Sequence, residues 1–128
     1  MKKKILVVED NATNLYLVRF ILQKAGYEVV EAVNGEQGVQ KAITEMPDLI
    51  LMDMQLPVMN GYEATAQIKA DEKIRHIPVF ALTAYAMQGD QEKSLQAGCD
   101  AYLKKPIDHE NFVEIIEKLM IKFKEGDE

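Results

Sequence analysis

Five short apolar runs punctuate the chain: Ile5 to Val8, Glu28 to Val33, Leu49 to Met52, Val79 to Leu82 and Ala101 to Leu103. Longer segments of helical period separate them, and this alternation predicts βα units building a parallel sheet with helices on both faces. Three of the runs are continuous rather than alternating, as expected of strands covered on both sides. The first helix should bury Leu15, Val18, Leu22 and Ala25 and close at Gly26, a residue free to adopt the left-handed conformation that ends helices. Asn34 with Gln37, and Asn60 with Glu63, have the spacing of a cap and an answering side chain, and open the second and third helices. Near Gln88 to Ala97 only Leu95 is large and apolar, so the fourth helix should be the least firmly docked. Phe112, Ile115, Ile116, Leu119, Met120 and Phe123 form a strong amphipathic stripe after a candidate cap at Asp108, leaving Val113 and Ile121 outside it.

A chain of 128 residues, 48% hydrophobic and 28% charged, fits one domain, predicted over residues 1–125 with a loose tail at 126–128. The net charge of −6 leaves no field to attract nucleic acid, and the only basic run is Lys2, Lys3 and Lys4. Four apolar residues follow it, too few for a signal peptide, and no later run would span a bilayer, so neither nucleic acid nor membrane is expected as a partner and the setting reads as cytoplasmic. Cys99 has no second cysteine to pair with, and with only His76 and His109 beside it no zinc-type ligand set assembles. Any metal must be held by oxygen.

Parallel strands all point one way, so the residues just after them gather along one edge, where open α/β folds bind ligands. That edge collects Glu9 and Asp10 after the first strand, Asp53 after the third, Thr83 and Ala84 after the fourth, and Lys104, Lys105 and Pro106 after the fifth. The second strand ends without chemistry. A doubly wound five-stranded sheet of order 2-1-3-4-5, flavodoxin-like, puts that poor strand at an edge and opens a crevice between strands one and three. Two carboxylates ~5 Å apart repel by roughly 3 kcal/mol at an effective dielectric of ~20. Three acids against Lys105 therefore call for a hard divalent cation, with Mg²⁺ the first choice. Mg²⁺ commonly partners phosphate, and Thr83 and Lys105 supply a hydroxyl donor and a point charge, so the set reads as a phosphoryl site with Asp53 as acceptor. Each residue alone is ordinary turn or surface chemistry; their joint presence at four strand ends is not.

Glu9-Asp10, Asp53 within Leu-Met-Asp-Met-Gln-Leu-Pro-Val-Met-Asn-Gly, Thr83-Ala84 and Lys105-Pro106 together resemble the receiver domains of two-component response regulators, the CheY-like superfamily. The likeness runs from about residue 3 to 124 and is nearest to stand-alone regulators of the DivK type and to receiver segments of hybrid histidine kinases. It implies that Asp53 takes a phosphoryl group from the phosphohistidine of a histidine kinase or histidine phosphotransferase. It implies direct Mg²⁺ contacts from Asp10, Asp53 and the Gln55 backbone carbonyl, with Glu9 acting through water. Lys105 and Thr83 would contact the phosphoryl oxygens, small Ala84 would leave access, the bond before Pro106 would be cis, and Tyr102 would be the aromatic switch. Gln55 and Tyr85 occupy the positions that tune phosphoryl lifetime in the family.

The implied protein is a signalling receiver rather than a metabolic enzyme, catalysing only its own phosphoryl uptake and hydrolysis. Thr83 drawn toward the acyl phosphate would let Tyr102 rotate and shift the fourth helix, so a downstream protein is expected on the face made by helix four, strand five and helix five. A haloacid-dehalogenase-like phosphatase would want a second acid two residues beyond its nucleophile, where Asp10 is followed by Ala12. A flavodoxin would want a Ser/Thr/Gly-rich phosphate loop in place of Asn11-Ala12-Thr13-Asn14. The Met1-Lys2-Lys3-Lys4 start and charged finish suit a chain that stands alone better than a receiver cut from a hybrid kinase.

Overall fold

A computed structural model describes residues 3–83, 90–104 and 111–126. Ten elements alternate along it: β1 (Lys4–Val8), α1 (Ala12–Lys24), β2 (Glu28–Ala32), α2 (Gly35–Glu45), β3 (Leu49–Asp53), α3 (Gly61–Ala70), β4 (Val79–Thr83), α4 (Asp90–Ala97), β5 (Ala101–Lys104) and α5 (Phe112–Gly126). The strands are all parallel, in the order β2-β1-β3-β4-β5, as the strand-end chemistry required.

Side chains alternate across the strands and divide the core in two. Leu6, Val8, Ile50, Met52, Val79 and Ala81 face Ala42 of α2 and Ala64 and Ile68 of α3. Ile5, Val7, Leu49, Leu51, Phe80 and Leu82 face Val18, Ile21 and Leu22 of α1 and Phe112 and Ile116 of α5. Each buried Val, Leu, Ile, Met or Phe side chain contributes roughly 1.5–3 kcal/mol, and β3 throughout and β1 from Ile5 to Val8 are buried, so the crevice between them rests on strands packed on both faces.

Helix ends follow the sequence closely. Asn34 and Asn60 accept from the Gln37 and Glu63 N–H groups at 2.8 and 2.9 Å, and Gln37 reaches back to the Val33 N–H. Gly26 and Gly98 both sit at positive φ, and each closes its helix with a pair of bonds back into the last turn.

Four expectations change. β2 stops at Ala32, leaving Val33 exposed, because β1 has no further residue to pair with it. Ala25 is the exposed C-cap of α1, and Ile21 takes its place in the buried face. On α5 Ile115 points to solvent while Val113 joins the core, since Val113 meets α1 across a concavity of about 270 Å³ shared with Phe20, Ile21 and Ala25. α5 also runs through Gly126, expected in the loose tail. Asp108 and His109 lie outside the described residues.

Candidate functional site

β1 makes its last ladder bond just past its end, where the Glu9 N–H donates to the Ala32 carbonyl at 3.0 Å. Glu9 is 1% exposed, whereas Asp10 turns out to solvent. A buried carboxylate needs donors, and the Asn11 N–H supplies one to Glu9 Oε2 at 3.3 Å. Asn11 then caps α1 by accepting from the Asn14 N–H at 2.9 Å. This cap escaped the sequence reading, although an Asn three residues before an Asn was its signal. The turn thus points one acid inward and the next to the crevice mouth.

Asp53 ends β3, 5% exposed and level with Leu82 of β4. The Gln55 N–H donates to Asp53 Oδ1 at 3.0 Å, a local turn that holds the carboxylate in place. One oxygen from each of Glu9, Asp10 and Asp53 lies within 4.8 Å of the others. At that separation each pair of charges repels by about 3.5 kcal/mol at an effective dielectric of ~20. An all-oxygen set with one open side suits a hard divalent cation that keeps some of its water. Cys99, buried between the end of α4 and β5 at the opposite ends of the strands, donates to Thr65 Oγ1 at 3.7 Å, and burial pushes its thiol pKa up to about 11.

The loop after Asp53 is clamped. Gly61 opens α3 with its N–H on the Met54 carbonyl at 3.1 Å, and a Cβ there would collide with the Asp53 carbonyl and come within 2.6 Å of Met54 Cα. Gly61 is therefore required by a close approach. Between them Val58 holds φ +68° while the Met59 N–H bonds to the Pro57 carbonyl at 2.7 Å, a three-residue turn that is strained for a β-branched residue.

Thr83 ends β4, 2% exposed. Tyr102 pairs with Ala81 in the ladder, so it lies on the same sheet face as Thr83 two residues on, half-buried against the α2 and α3 side of the core. α4 packs on that side through buried Ser94, and its one large apolar residue, Leu95, is 51% exposed. The exposed Leu95 matches the sparse apolar content of α4, whereas the burial of Ser94 has no signal along the helix.

The description "Response regulator receiver domain" fits a family profile matching residues 5–117. The chain is 45% identical over 120 residues to the polar-differentiation response regulator DivK of Brucella anthropi, covering 94% of this chain and 98% of that relative. Among solved structures, the receiver domain of a sensor histidine kinase from Pseudomonas aeruginosa, which carries a magnesium ion in its active-site cleft, superposes with TM-score 0.86 at 42% identity over 93% of this chain and 98% of that one. A CheY-like receiver from Methanospirillum hungatei gives TM-score 0.86 at 34% identity over 98% and 99% of the two chains.

The chain belongs to the response regulator receiver family. Phosphoryl acceptance is the general function of that family, and its members work between histidine kinases and downstream targets. In this receiver the structure brings together Glu9, Asp10 and Asp53 at one strand edge, with Gln55 beside them and Thr83 on the neighbouring strand. Lys105, Pro106, Ala84 and Tyr85 lie outside the described residues. No helix among the described residues is long and apolar enough to cross a membrane.

Proposed function

We propose that this receiver accepts a phosphoryl group onto Asp53 from the phosphohistidine of a partner kinase or phosphotransferase. The observation that carries the reading is the meeting of three carboxylates within 4.8 Å, one of them on a strand end with its orientation held by a backbone N–H. Asp10, Asp53 and the Gln55 carbonyl would hold Mg²⁺ directly and Glu9 through water. When bound, the ion would neutralise charge on the transferring oxygens. An Asp53 oxygen attacks phosphorus in line, the P–N bond to the donor imidazole breaks, and its electron pair stays on the imidazole nitrogen, which takes a proton. The family likeness assigns Lys105 and Thr83 to the phosphoryl oxygens, Ala84 to access and a cis bond to Pro106. Catalysis of uptake, and of later hydrolysis, is then positioning and electrostatics.

The donor must bring its histidine to a crevice that starts at Asp10, where α1 begins, and α1 exposes Tyr16, Leu17 and Phe20 beside it. Output leaves on another side. Thr83 and Tyr102 share a sheet face with weakly docked α4, and Leu95, Ile115 and Ile121 are exposed on α4 and α5. A downstream protein on the α4-β5-α5 face is our reading of the signal's exit, in the cytoplasm where kinases make phosphohistidine from ATP. Incubation with acetyl phosphate and Mg²⁺ tests the acceptor: wild type should gain one phosphoryl group and Asp53→Asn none, and equal labelling of the two would overturn the assignment.

A further inference from the structure

The loop that follows Asp53 is gripped by a helix that contributes nothing to the site itself. Gly35, the first residue of α2, is buried and donates its N–H to the Met59 carbonyl at 3.0 Å. A Cβ at Gly35 would collide with the Met59 carbonyl oxygen and lie 2.8 Å from its carbon. Both are backbone atoms, so no rotamer change could relieve the clash. The loop would have to move.

It has little slack with which to absorb that movement. Met59 ends the strained turn at Val58, Gly61 is seated against Asp53 and Met54, and Asn60 is committed to capping α3. At the other end the Gln55 N–H is tied to Asp53 Oδ1 at 3.0 Å. A push at Met59 therefore runs back through the turn to Gln55.

We infer that Gly35 is a positioning residue for the acceptor site: its missing side chain and its N–H set where Met59 sits, and through the tight 57–59 turn they set Gln55 and its contact with Asp53. The inference rests on the reading of Asp53 and Gln55 as part of a cation-binding phosphoryl site.

The test is titration with Mg²⁺ alone, followed by the backbone amide resonances of Asp53 and Gln55, in wild type, Gly35→Ala and Gly26→Ala. Gly26 sits at φ +98° with nothing within 4 Å of a Cβ, at the sheet edge away from the crevice. Its substitution strains the backbone without touching the loop. Gly35→Ala should weaken Mg²⁺ at least tenfold, while Gly26→Ala should lower the melting temperature and leave the Mg²⁺ dissociation constant as in wild type. Should Gly35→Ala fail to fold, an ester replacing the amide between Asn34 and Gly35 removes the N–H donor without adding bulk, and it should weaken Mg²⁺ several-fold. A wild-type Mg²⁺ constant in Gly35→Ala or in the ester, or an equal loss in Gly26→Ala, overturns the positioning role. Wild-type protein indifferent to Mg²⁺ overturns instead the reading of the site.

Discussion

Replacing Asp10 by Asn keeps the size of the side chain and removes one charge of three. Each pair of carboxylate oxygens lies no more than 4.8 Å apart, worth about 3.5 kcal/mol of repulsion at an effective dielectric of ~20 and about 1 kcal/mol in bulk water. Asp10 faces solvent, so its repulsions with Glu9 and Asp53 belong near the lower figure, about 2 kcal/mol together. Asp10→Asn should therefore stabilise the metal-free protein by about that much, or about 8 °C in melting temperature for a domain of this size. Mg²⁺ at ten times its dissociation constant should stabilise wild type by about 1.4 kcal/mol, roughly 6 °C. The variant should lose most of that increment. Melting in EDTA and then in graded Mg²⁺ reads both effects, and they run in opposite directions, which a simple loss of folding cannot imitate. Asp10→Asn melting no higher than wild type in EDTA, or keeping the full Mg²⁺ increment, would refute the argument that these acids form a strained, cation-seeking cluster.

Two further outcomes concern Cys99, at the opposite ends of the strands, and Thr83 beside the acids. Burial raises the Cys99 thiol from about 9.0 to about 11, so the folded state holds this proton longer than the unfolded chain does. Its contribution is present below about pH 9 and lost between there and about pH 11; urea midpoints across that window should fall less steeply for Cys99→Ala than for wild type, and parallel slopes would contradict the assignment. Thr83→Ala should still take phosphoryl groups from acetyl phosphate, yet a beryllium fluoride mimic should no longer shift the Tyr102 ring resonances; an unchanged Tyr102 response would sink the coupling of the two residues.

Local chemistry was legible where one short pattern decides it. Asn34, Asn60 and Gly26 act through neighbours three to five residues away, and each stands where its spacing put it. The acids were legible too, because parallel strands turn sequence order into spatial order at one edge. What stayed hidden depends on distant partners. α5 carries apolar residues on more than one side, and contact with α1 through Val113 selects which of them are buried, turning Ile115 outward. Ser94 is buried because α4 closes over α3, which no period along α4 reveals. The roles of Gly35 and Gly61 come from backbone approaches to Met59 and to Asp53. A glycine in sequence shows only that freedom is available.

Asp53, and no other carboxylate, should become the acyl phosphate. Borohydride reduction converts an aspartyl phosphate to homoserine and leaves ordinary carboxylates untouched, so peptide mass spectrometry after phosphorylation and reduction reads the position directly. Homoserine should appear at residue 53 in Mg²⁺ and be absent there in EDTA. Homoserine at residue 10 or residue 9, or at 53 with equal yield in EDTA, would contradict the assignment.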